Sequence, residues 1–109
     1  MNGMAACEGD YNLGMADLGA LAVELNEARQ RFELATPAGI AWLDYRLLGQ
    51  TLYLTHAEVP RAARGAGFAG QVTRGALEWA RARGFKVVPQ CGYVAAYIQR
   101  HEGFGDLLL

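Results

Sequence analysis

The chain has 109 residues, 52% of them apolar, and a net charge of −1, which suits one small domain with a single core and excludes two. No run of about eighteen apolar residues is present, so no helix is expected to cross a membrane. No basic residue precedes Arg29, so a secretory signal's charged start is missing and cytoplasmic residence is expected. Two cysteines, Cys7 and Cys91, are spaced for neither a disulfide framework nor a metal site; two reduced thiols and no bound metal are expected.

In chain order, residues 1–17 lack periodicity and read as a mobile leader ahead of a domain over 18–109. From Leu18 to Phe32 the residues allow two readings. Leu18, Leu21, Leu25 and Ala28 fit one face of a helix, whereas Leu21, Val23 and Leu25 alternate with Ala22, Glu24 and Asn26 as a strand does. Arg31 to Thr36, a Pro37-Ala38-Gly39 turn, Ile40 to Leu48, a Gly49-Gln50 turn and Thr51 to Val59 read as an antiparallel meander. A helix follows, with Val72, Ala76, Leu77 and Ala80 in one stripe and Gly84 as its stop. Lys86 to Pro89 is then a short apolar strand, parallel to Thr51–Val59 because a helix crosses between them. A last helix is predicted over Tyr93 to His101. The fold class is α/β, antiparallel strands leading into a mixed sheet, with Trp42 and Trp79 expected in its core.

The segment Arg64-Gly65-Ala66-Gly67-Phe68-Ala69 joins the fourth strand to the long helix. Alternate glycines allow positive φ and close approach of a ligand to the backbone. Free N–H groups at the helix start favour an anion, and Arg61 and Arg64 can pair with phosphate oxygens. A tight turn with two solvated arginines is the plainer alternative. The Gly-Lys-Ser/Thr of a Walker loop is absent, as is the third glycine of the dinucleotide fingerprint.

Charge is uneven: residues 1–58 sum to −5 and residues 59–109 to +4. A basic half around the loop suits a polyanionic cofactor, and an acidic half suits a cationic amine. The basic residues lack the interleaved aromatics of a nucleic-acid surface, so neither nucleic acid nor membrane is expected as a partner.

A parallel strand pair places its ligand crevice at the carboxyl ends, which puts Glu58 and Cys91 at the same edge. Alternation predicts Leu52, Leu54, His56 and Glu58 on one face and Tyr53, Thr55, Ala57 and Val59 on the other. His56 or Glu58 can therefore act as a general base, or serve as a structural histidine and a solvated carboxylate. Cys91, ahead of a helix N-terminus that favours a thiolate, is either a nucleophile or a small packing residue.

Arg64-Gly65-Ala66-Gly67-Phe68-Ala69 fits the [Q/R]-x-x-G-x-[G/A] loop of GNAT-type N-acetyltransferases. From about Leu21 to Leu107 the chain resembles the minimal, single-domain members of the YjdJ type, whose pattern includes a Cys and a Gly. Arg31-Phe32-Glu33-Leu34, Ala41 to Tyr45, His56 to Pro60, Val87 to Cys91 and Ala96 to His101 carry the resemblance. It departs at Ala57, where the family usually has Thr, and at Gly92, usually Pro or Ser. The resemblance implies a GNAT-like fold, with a strand ending near Asn26, a central helix after the loop and a short C-terminal helix. It also implies transfer of an acetyl group from acetyl-CoA to a primary amine of a small molecule or protein, by a monomer or weak dimer. Val59, Arg61, Arg64, Gly65, Ala66, Gly67, Phe68 and Ala69 would hold the cofactor. Cys91 would be the proposed catalytic residue, and Tyr97 stands near the tyrosine that protonates the departing thiolate, though core packing also suits it. A CoA-binding protein without turnover and an interaction module without ligand are the alternatives.

Overall fold

The computed structural model describes residues 22–109. The leader, Cys7 and the first part of the segment from Leu18 lie outside the described residues. Five strands form one sheet in chain order: β1 (Glu24–Asn26), β2 (Arg31–Thr36), β3 (Gly39–Leu48), β4 (Thr51–Glu58) and β5 (Lys86–Pro89). The first four are antiparallel and β5 runs parallel to β4. Helix α1 (Phe68–Arg83) makes the crossover between β4 and β5, and α2 (Gly92–Arg100) follows β5. The expected mixed α/β sheet is thus observed, with β1 in the extended reading of its segment.

Local chemistry explains these boundaries. Thr36 Oγ1 donates to the Gly39 carbonyl at 2.7 Å and accepts from the Ala38 N–H at 3.1 Å, closing the β2–β3 hairpin. At the end of α1, Gly84 takes φ 72° and the Phe85 N–H reaches back to the Ala80 carbonyl at 2.9 Å, the left-handed stop that glycine allows. α2 runs one residue earlier at both ends than the predicted Tyr93 to His101.

The core is one cluster. Phe32, Leu34, Leu43, Leu52, Leu54 and Val87 from the sheet meet Val72, Ala76, Leu77 and Ala80 from α1 and Val94, Tyr97 and Ile98 from α2. Both helices pack on this face, and a Cβ added to Gly70 of α1 would stand 3.5 Å from the Tyr97 ring of α2. Trp79 joins the core edge-on to Phe32 and Phe85, as expected. Trp42 does not. It alternates with buried Ala41 and Leu43 and so lies on the outer face, with the Arg31 guanidinium 4.4 Å above its ring.

A second correction lies in β4. Asp44 pairs with His56 but its neighbour Tyr45 pairs with Leu54, leaving Thr55 as an extra residue. Its hydroxyl donates to the Asp44 carbonyl at 3.3 Å. Such a bulge inverts the alternation beyond it. Leu52 and Leu54 face the core, whereas His56 and Glu58 turn to the outer face and Ala57 takes the inward position opposite Leu43.

Candidate functional site

The chain leaves β4 through Val59-Pro60 into a single 3-10 turn, Arg61–Ala63, anchored by the buried Ala63 methyl. Gly65 and Gly67 both take φ 87°. Gly67 caps α1 without any side-chain hydrogen bond to the helix start, and the first helical bond is the Gln71 N–H to the Gly67 carbonyl at 3.1 Å. The N–H groups of the first turn are therefore available to a ligand. Among the described residues, none beyond the chain neighbours stands within 4 Å of where a Cβ on Gly65 or Gly67 would point. The glycines are required by φ and leave open space above the loop.

That space is a cleft of about 270 Å³ lined by Val59, Ala63, Arg64, Gly65, Gly67, Phe68, Ala69 and Tyr93. Six of the eight residues expected to hold a cofactor line it; Arg61 and Ala66 do not. An open helix N-terminus, left-handed glycines and a flanking guanidinium fit a diphosphate group. Arg64 is also tied to the strand end: its Nε donates to the Val59 carbonyl at 3.2 Å, and its guanidinium lies 4.0 Å from Glu58 Oε2.

Where β4 and β5 part, the other groups gather. Pairing between the two strands ends at Leu54 and Pro89. The N–H groups of Gln90 and Cys91 both reach the Leu54 carbonyl, at 2.9 and 3.0 Å, and β4 continues alone to Glu58. His56 Nε2 and Glu58 Oε1 are 2.9 Å apart on the outer face, both open to solvent. Cys91 is the N-terminal cap residue of α2, half-buried and not in a disulfide. The edge thus brings together the glycine loop, the His56–Glu58 pair and the start of α2.

A model of the GCN5-related N-acetyl-transferase family matches residues 31–107, most of the chain. The chain belongs to this family. Its fold is similar to the NMR solution structure of a GCN5-like protein from Staphylococcus aureus, with a TM-score of 0.58 over 80% of this chain and 86% of that one, at 16% identity. None of the curated proteins compared matches it.

For an N-acetyltransferase fold, the position of Tyr97 is informative. Tyr97 is only 7% exposed and stacks on the His101 ring at 3.9 Å. Burial raises its phenol above the usual tyrosine value. The tyrosine at the cleft is Tyr93, one turn earlier, whose hydroxyl would stand 3.4 Å from a Cβ on Gly70. Tyr93 was not among the residues expected at the site. The available signal was Gly70, whose missing side chain lets an aromatic on α2 approach the first turn of α1.

Proposed function

We propose that this chain is an acetyl-CoA-dependent N-acetyltransferase acting on a primary amine. The observation that carries the reading is that an open, glycine-lined helix N-terminus adjoins a strand edge bearing a hydrogen-bonded histidine–carboxylate pair. Acetyl-CoA supplies the acetyl group as an activated thioester. The free N–H groups at the start of α1, with Arg64, would hold its diphosphate, and Val59, Phe68 and Tyr93 would flank the chain that follows.

The amine must lose a proton, since alkylamines have a pKa of roughly 10. His56 and Glu58 lie on the outer face, so the acceptor approaches from that side while the helices cover the other. With Nε2–H donating to Glu58, the Nδ1 lone pair of His56 is free to take the proton directly or through water. In a second route Cys91 Sγ, the one free thiol among the described residues, would as a thiolate displace CoA thiol from the thioester and take the acetyl group, and the amine would then displace the Cys91 thiolate to form the amide.

Mass spectrometry after incubation with acetyl-CoA alone, paired with turnover of Cys91→Ala on a primary amine, separates these routes. An acetyl adduct at Cys91 and loss of turnover in the variant support the covalent route. A variant that keeps most of its rate, with no adduct on the wild type, supports direct transfer governed by His56 and Glu58. Binding of acetyl-CoA with no acetylated amine from any protein variant contradicts the enzyme reading.

A further inference from the structure

A second cavity of about 270 Å³ opens beside the bulge, lined by Arg29, Gln30, Asp44, Tyr45, Arg46 and Thr55. It touches the proposed chemistry without being part of the cofactor cleft. Asp44 is the register partner of His56, and Thr55 directly precedes His56. Asp44 and Arg46 alternate with the buried Leu43 and Tyr45, so both project on the outer face, the acceptor's side.

The wall opposite is built with some care. Gln30, at φ 54°, closes the turn between β1 and β2 by donating to the Glu27 carbonyl at 3.2 Å, and its own carbonyl accepts from the Tyr45 N–H at 2.9 Å. The Arg29 N–H is held by Asn26 Oδ1 at 3.1 Å. This turn is thereby fixed against β3, with Arg29 at the cavity. Arg31, Arg74 and Arg81 each engage a carboxylate, in Glu33, Glu78 and Asp106. Among the described residues Arg29 and Arg46 form no ion pair, although they border a polar cavity that also holds Asp44.

We propose that this cavity is the acceptor subsite for a carboxylate, so that the acyl acceptor is an amine that also carries a carboxylate group. The inference rests on the acetyl-transfer reading above. Two guanidiniums at the cavity that borders the Asp44–His56 step oppose a purely cationic amine, whereas an amino-carboxylate would present its anion to Arg29 and Arg46 and its ammonium to Asp44, with His56 and Glu58 beyond it. Asp44 and Arg46 are two residues apart on an extended strand, about 7 Å. That span matches an amine and a carboxylate separated by a few methylenes better than the short separation in an α-amino acid.

The test compares δ-aminovalerate with its carboxamide, two acceptors that differ only in the anion. Nitrogen-15 spectra of the full chain titrated with each, and acetylation kinetics with each, give independent readouts. The expected result is saturable shifts at Arg29, Arg46 and Thr55 with δ-aminovalerate, and a kcat/KM at least about tenfold above that of the amide. Arg29→Ala/Arg46→Ala should abolish this preference through KM while acetyl-CoA affinity is retained, and Arg29→Lys/Arg46→Lys should restore part of it. Equal kcat/KM for the two acceptors, or no saturable shift around the cavity, overturns the subsite while leaving acetyl transfer standing. Carboxylate-dependent binding without any transfer sustains the subsite and overturns the transfer reading instead.

Discussion

At the residue scale, Glu58 sits between two partners, with Oε1 at 2.9 Å from His56 Nε2 and Oε2 at 4.0 Å from the Arg64 guanidinium. This links the histidine–carboxylate pair to the glycine loop. If His56 and Glu58 deprotonate the amine as proposed, Glu58→Gln or His56→Ala should lower kcat by about 10²- to 10⁴-fold, the usual contribution of a general base. Acetyl-CoA affinity measured by calorimetry should stay within a few-fold; a variant with the wild-type kcat would remove the pair from the chemistry. Arg64 acts on the other side. Its exposure places it at the low end for a charge-assisted contact, so Arg64→Ala should weaken acetyl-CoA binding by about 1 kcal/mol at low salt. Raising the salt should narrow the gap between variant and wild type, and equal dissociation constants at low salt would show that Arg64 serves only the Val59 carbonyl.

At the scale of elements, strand lengths and turns were legible because period-2 alternation, Pro37-Ala38-Gly39 and Gly49-Gln50 are local signals. The helix after the loop was legible from its stripe and from Gly84. The bulge was not. A one-residue slip depends on how β4 meets the Asp44/Tyr45 step of β3, and nothing in Thr55-His56-Ala57-Glu58 marks it. His56 and Glu58 were still placed together, since both lie beyond the slip and invert as a unit. Trp42 was misplaced because its residue type outweighed its alternation with Ala41 and Leu43. Tyr97 belongs to this scale too, since it seats α2 against α1. Burial raises its phenol above the ordinary value, so the folded state holds that proton more tightly than the unfolded chain does. The resulting stability is complete below about pH 10 and is lost as pH rises through the folded value. Tyr97→Phe should therefore flatten the fall in melting temperature above about pH 10. An unchanged alkaline slope would mean that other groups, such as the similarly raised Tyr45, carry it.

For the whole molecule, the charge asymmetry of the sequence does not become a single basic face. Arg74 pairs with Glu78, and Arg81 grips both oxygens of Asp106 at 2.9 and 3.0 Å. Lys86 Nζ donates to the Asp106 carbonyl at 2.8 Å. These contacts tie α1 and β5 to the C-terminal 3-10 turn at Glu102–Leu107. Arg61 and Arg64 remain near the loop, so attraction of a polyanion is local there rather than a property of the half-chain. Helices and core fill one side of the sheet, and the outer side presents His56 and Glu58 of β4 beside their β3 partners Asp44 and Trp42. Acetyl transfer by this chain requires that the glycine loop hold acetyl-CoA. Calorimetric titration of acetyl-CoA into wild-type protein and into Gly67→Val tests it most directly, because a Cβ at Gly67 meets none of the described residues beyond its chain neighbours and enters the open space of the proposed cofactor cleft, with local strain from φ 87°. Saturable one-to-one binding by the wild type, lost or sharply weakened in a variant that stays folded by circular dichroism, is the predicted result; wild-type affinity in folded Gly67→Val, or no binding by either protein, would contradict it.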